Sequence, residues 1–169
     1  TNVATQRDLS KLGAEILKNY TVVDEAADDS YDVDPSTMEV YAENYYAGAS
    51  DTEGNPAYAI DGKSSTWWHT VWSDSERDTH YLIFTFDEVK EIDGMRFQQR
   101  SNGVNGVVTT YDLLVRESED DEWVTVVDNG SLLSTTEWQK VTFDKVSAKQ
   151  VKFQVVDATS DNSNKFAAV

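Results

Sequence analysis

The rhythm of hydrophobic and polar positions changes near residue 40. Ahead of it, residues 5–20 (TQRDLSKLGAEILKNY) place Leu9, Leu12, Ile16, Leu17 and Tyr20 at helical spacing, with Thr5 three residues before Asp8 as a capping pair. This predicts a short N-terminal helix whose apolar stripe needs a partner. Residues 24–39 then carry Asp24, Glu25, Asp28, Asp29, Asp32, Asp34 and Glu39 with few large apolar groups, a composition that reads as an acidic linker or loosely held loop. These carboxylates lack the fixed Gly and closing Glu of a calcium hand loop. From residue 40 onward short strand-like runs alternate with Gly, Asn and Asp clusters. Candidate strands are 80–86, 92–99, 110–117, 122–127, 138–143 and 149–156. The last alternates cleanly, with Val151, Phe153 and Val155 on one face and Lys152 and Gln154 on the other. Acidic groups from Glu117 to Glu122 mark an exposed hairpin tip. Regularly spaced short strands without intervening helices predict an antiparallel sandwich, giving a division into 1–39 (helical appendage and acidic linker) and 40–169 (β-sandwich).

Composition narrows the function. The 31 acidic and 14 basic residues leave a net charge of −17, which repels nucleic-acid phosphates and anionic membranes. No cysteine is present, which removes disulfides, thiolate metal sites and thiol nucleophiles. No apolar run approaches the roughly 20 residues of a membrane-spanning helix. Loop tips are acidic and polar, so membrane insertion is not expected.

One stretch combines unusual chemistry. Residues 57–72 (AYAIDGKSSTWWHTVW) set an Asp61-Gly62 turn beside Trp67, Trp68, Trp72 and His69, one of only two histidines. Asp-Gly favours a turn because Gly accepts positive φ and Asp bonds nearby backbone. Taken singly, His69 reads as a packed side chain, Arg100 as a surface charge and Asn105 before Gly106 as a turn residue. Nothing supports catalysis: there is no G-x-S-x-G elbow and no H-E-x-x-H. Close carboxylate pairs are inevitable among so many acidic residues and therefore carry no information.

Set in order, the motifs add up. Ala59, Asp61, Gly62, Thr66, Trp68, His69 and Thr70, then Ile92–Phe97, Arg100 with Asn105 and Gly106, Tyr111–Val115, Trp123, Trp138 and Lys165–Val169 resemble a discoidin-like (coagulation factor C-type) domain, specifically the bacterial family 32 carbohydrate-binding modules. The resemblance covers about residues 40–169. It implies an all-β fold, an eight-stranded antiparallel jelly roll of galactose-binding type, and a non-catalytic module that holds a terminal galactose, N-acetylgalactosamine or lactosamine-type glycan. His69, Arg100 and Asn105 would then bond sugar hydroxyls, a donor and acceptor set that suits vicinal diols. Phe166 is the first choice for the ring that stacks on the sugar, with Trp72 and Trp67 as rivals; Trp68, Trp123 and Trp138 are assigned to the core. A structural Ca2+ is implied at Asp61 and Thr66, with carbonyls from Tyr58, Lys63 and the closing Ala168 region. The family's Glu shortly after the closing Ala-Ala has no counterpart within the 169 residues, which would weaken that site. An exported bacterial protein follows from the resemblance, with the module monomeric and tethered to a larger glycan-active enzyme. A discoidin-like adhesion domain for protein ligands, or an N-acetylglucosamine-specific module, is the alternative.

Overall fold

Two long antiparallel strands, β5 (Tyr81–Phe97) and β8 (Gln139–Ala158), run beside each other along nearly their whole length. The computed structural model describes residues 22–23, 33–47, 51–73, 78–100, 105–159 and 166–169, so the predicted helix over 5–20 lies outside the described residues. The other strands are β1 (Val22–Val23), β2 (Met38–Tyr41), β3 (Glu53–Gly54), β4 (Trp67–Trp68), β6 (Val108–Arg116) and β7 (Val124–Ser131). One sheet has the order β2-β5-β8-β6-β7, with β1 also paired to β8, and β3 and β4 form a separate parallel pair.

Sequence patterning divides β5 into 80–86 and 92–99, and β8 into 138–143 and 149–156. The structure joins each pair. The ladder slips between Thr85 and Lys90 and again between Ile92 and Gly94, and the residues between, Asp87 to Val89, are exposed. Such irregularities let a strand bend while staying paired. The bend is large. Fifteen residues separate Leu82 from Phe97, about 50 Å along a straight strand. Yet Phe153, the ladder partner of Leu82, stacks on Phe97 with ring centroids 5.6 Å apart. The sheet therefore folds over on itself as a β-sandwich, with inward residues from both limbs in one core.

That core gathers Leu82, Phe97, Val108, Tyr111, Leu113, Val141, Phe153 and Val155, together with Trp68 and Ala167 from the loop end. The predicted alternation over 149–156 holds, with Phe153 and Val155 buried. A second cluster of Phe86, Val115 and Ala148 takes Val33 and Met38 against it. The boundary drawn at 39/40 thus falls inside β2, and the end of the acidic segment belongs to the sandwich. Its entry is a short 3-10 turn, Pro35–Thr37, capped by the Asp34 carboxylate on the Ser36 N–H at 2.9 Å.

Two tryptophans assigned to the core lie elsewhere. Trp68 is fully buried and donates its indole N–H to the Asn44 carbonyl at 3.1 Å. Trp138 is 36% exposed with the Arg96 guanidinium 4.9 Å from its ring centroid, and Trp123 carries Arg116 at 4.4 Å. Each covers an arginine at the surface, where cation–π contact replaces core packing. The acidic Glu117–Glu122 connection between β6 and β7 is exposed, as predicted.

Candidate functional site

At one end of the sandwich, residues 166–169 run antiparallel beside residues 67–70. Trp68 and Val169 exchange backbone hydrogen bonds of 2.7 and 2.8 Å, the Thr70 N–H donates to Ala167 O at 3.0 Å, and the Thr70 hydroxyl accepts from Ala167 N–H at 3.0 Å. This pairing fixes the backbone on either side of His69. On the other flank, Tyr46 N–H donates to the His69 carbonyl at 2.9 Å, and the Asn44 side chain accepts from Val71 N–H at 2.9 Å.

His69 is fully buried. Its Nδ1 lies 2.7 Å from the Thr70 carbonyl, an oxygen that can only accept, so the neutral ring carries its proton on Nδ1. Nε2 is then an acceptor. It has no hydrogen-bond partner among the described residues, and Glu53 Oε2 lies 3.7 Å away. Burial pushes the imidazole pKa below its ordinary value, opposed by the Thr70 carbonyl and the Glu53 charge, with Arg100 pushing it further down.

Arg100, 8% exposed, follows Gln99, whose amide is anchored on Val108 O at 2.8 Å. Its guanidinium donates through Nη2 to the Asn105 carbonyl and lies 5.5 Å from the Trp67 ring centroid, while Nε is buried without a hydrogen-bond partner among the described residues. Burial lowers its pKa and Glu53 opposes that shift. Asn105 thus reaches the site through its main-chain oxygen, holding the arginine.

The expected stacking rings sort differently from the resemblance. Phe166, the first choice, is 4% exposed and meets the Trp72 ring edge-on at 4.7 Å. It also packs on Gly106, where an added Cβ would come within 2.7 Å of the Phe166 ring and φ is +78°. Phe166 therefore backs the site, since little of its face is open. Trp67 is 8% exposed beneath Arg100 and offers no open face. Trp72 is 38% exposed, 4.4 Å from the His69 ring and 6.1 Å from Tyr46. It is the open aromatic surface. Tyr46 stacks on His69 at 5.1 Å and 20°. Glu53 and Tyr46 were not picked out from the sequence. Glu53 arrives through the parallel pairing of β3 with β4, which sets it opposite Trp67.

The predicted cation loop forms a separate unit. Asp61 follows the 3-10 turn Pro56–Ile60, and Gly62 takes φ +72°, as the Asp-Gly turn requires. Asp61 Oδ1 accepts from Lys63 N–H at 2.9 Å, and the Thr66 hydroxyl lies 2.7 Å from Asp61 Oδ2 and 3.1 Å from the Lys63 carbonyl. One carboxylate, one hydroxyl and one carbonyl thus converge, an all-oxygen set that fits a hard cation. Tyr58 commits its hydroxyl to Asp51 O at 3.0 Å. Ala168 lies in the ladder beside His69 and Val107, its N–H on Gly106 O at 2.8 Å. Among the described residues no three His, Asp or Glu side chains gather as a metal cluster.

The F5/8 type C domain matches residues 40–169. The Micromonospora viridifaciens sialidase is 26% identical over 119 residues, which are 69% of this chain and 18% of that enzyme; the chain spans a small fraction of the curated relatives it matches. The solved CpGH89CBM32-5 from Clostridium perfringens, in complex with GalNAc-β-1,3-galactose, superposes with a TM-score of 0.66 at 20% identity, covering 80% of this chain and 92% of that one. The family 32 module of C. perfringens NanJ, in complex with galactose, gives 0.65 at 23% identity, covering 80% and 91%.

Proposed function

Because the chain belongs to the F5/8 type C domain family, we propose that it is a non-catalytic carbohydrate-binding module for terminal galactose-type sugars, galactose or N-acetylgalactosamine, on complex glycans. One observation carries the reading: among the described residues a buried acceptor, His69 Nε2, and a buried donor, Arg100 Nε, have no hydrogen-bond partner, and the His69 ring lies 4.4 Å from the exposed ring of Trp72. Burying unpaired polar atoms is costly, so such atoms call for a ligand that completes them. A sugar hydroxyl does so, donating to His69 Nε2 while accepting from Arg100, and the apolar face of the pyranose packs on Trp72. The relatives solved with galactose and with GalNAc-β-1,3-galactose support the sugar class.

The chain's own groups bind and orient; none is arranged to break a bond. Asn105 and Trp67 hold the Arg100 fork, and Phe166 and Tyr46 brace Trp72 and His69. Asp61, Thr66 and the Lys63 carbonyl would hold a Ca2+ ion, which would supply structural cross-linking of the loop. With few atoms buried, single-site affinity falls in the roughly millimolar to micromolar range, about −4 to −8 kcal/mol. Tethering to a larger glycan-active enzyme then raises effective concentration on a glycan-bearing surface. The bacterial relatives support an exported bacterial protein.

A glycan-array screen with the Arg100→Ala variant alongside tests this reading. Selective binding of terminal galactose or N-acetylgalactosamine, lost in the variant, is the expected result. Binding of no glycan would overturn it in favour of a protein-binding adhesion domain.

A further inference from the structure

We propose that Glu53 sets the charge specificity of this site, making it accept neutral sugars and refuse carboxylated or sulfated ones; this rests on the sugar-binding reading above. Without Glu53, the site would be a buried guanidinium beside an imidazole, the donor set that captures carboxylate or sulfate. Glu53 supplies the compensating charge from within. Its side chain is 28% exposed, its Oε2 is 3.7 Å from His69 Nε2, and its field favours the protonated forms of both His69 and Arg100.

A ligand that brings its own negative charge sets two anions against one guanidinium in a partly buried place, and like charges so placed repel strongly. A hydroxyl meets no such conflict. It accepts from Arg100 and donates to the imidazole or the carboxylate. The chain's net charge of −17 adds repulsion at longer range. The ligand class is therefore a neutral terminal pyranose: a sulfated terminal sugar must first lose its sulfate by ester hydrolysis, and a glycan capped by a carboxylate-bearing sugar must lose that whole sugar by cleavage of its glycosidic bond.

Three ligands test the point with the 169-residue chain at pH 7.5: methyl β-galactoside, methyl β-galacturonide, which replaces the C6 alcohol by a carboxylate, and the neutral methyl ester of the latter. Titration calorimetry should give similar affinity for the galactoside and the ester, and at least about tenfold weaker binding of the galacturonide. Glu53→Gln should close that gap by about tenfold or more, while Glu53→Asp keeps it. Thermal unfolding of each variant checks that it folds. Equal binding of galactoside and galacturonide by the unaltered chain, or an unchanged ratio in folded Glu53→Gln, overturns the role of Glu53 while leaving the sugar site standing. Absence of binding to both neutral sugars overturns the sugar site, and this role with it.

Discussion

Two adjoining stretches, Asp61–Thr66 and Trp67–Trp72, treat their polar atoms in opposite ways. In the first, Asp61 meets Lys63 N–H with one oxygen and the Thr66 hydroxyl with the other. That loop is exposed from Gly62 to Ser65, half-buried at Asp61 and Thr66, and closes on itself. In the second, His69 is fully buried, and it and the almost fully buried Arg100, which the chain supplies from beyond β5, each keep a nitrogen without a hydrogen-bond partner among the described residues. Exposed polar atoms that bond each other describe a loop that shapes itself, whereas buried ones left open describe a place prepared for something from outside. The packing of rings repeats the contrast, since Phe166 is closed off and Trp72 is open.

The largest effect should come from the closed ring. Phe166→Ala removes a buried aromatic wedged between Trp72 and Gly106, and should lower stability by about 3–5 kcal/mol, read in denaturant unfolding. A loss below about 1 kcal/mol would mean that Phe166 is an open binding surface after all. Arg100→Ala should do the reverse, weakening galactose binding by about 2–3 kcal/mol, on the order of 100-fold, while the chain still unfolds cooperatively.

Trp72→Ala comes next, with about 1–1.5 kcal/mol of binding lost through the missing stacking face and a small change in melting temperature. Asp61→Ala should cost about 1 kcal/mol of stability from its lost hydrogen bonds and leave sugar affinity nearly unchanged. Added calcium should raise the melting temperature of the unaltered chain and not that of Asp61→Ala. Identical melting in calcium and in chelator would remove the ion from the account. A binding loss in Asp61→Ala as large as that of Arg100→Ala would erase the distinction between the two stretches.

The smallest effect is that of pH near neutrality. Burial holds the His69 pKa below its ordinary value, so the ring stays neutral and Nε2 stays an acceptor through the neutral range. Affinity should be flat from about pH 8 to 6.5 and fall only at lower pH, once the ring protonates and Nε2 turns donor towards Glu53. Stability shares that sign: a depressed folded pKa gives stabilisation that is present above the unfolded value and lost as pH falls through the folded one. Affinity that rises on acidification would contradict the assigned tautomer.

Much of this was legible in the sequence because it is local. The Asp61-Gly62 turn, the alternation from Val151 to Val155 and the exposed acidic tip at Glu117–Glu122 all follow from residues close in the chain. The continuity of β5 and β8 was not. Polar breaks at Asp87-Glu88 and Asp144-Lys145 look like turns, whereas the strands bend there and stay paired on either side. Glu53 was invisible for a related reason. Nothing around it marks a site, and it arrives by pairing with Trp67 across a parallel ladder. The burial of Phe166, the ring singled out through the resemblance, depends on Gly106 and Trp72, far away in sequence. The surface positions of Trp123 and Trp138 depend likewise on Arg116 and Arg96.

The five tryptophans give the central claim its most direct test, because their indole N–H signals report from separate places. Nuclear magnetic resonance titration with methyl β-galactoside should shift the Trp72 indole and the His69 imidazole signals saturably, with those of Trp123 and Trp138 unmoved. Shifts confined to Trp123 or Trp138, or no shift at millimolar sugar, would contradict a galactose site built on His69, Arg100 and Trp72.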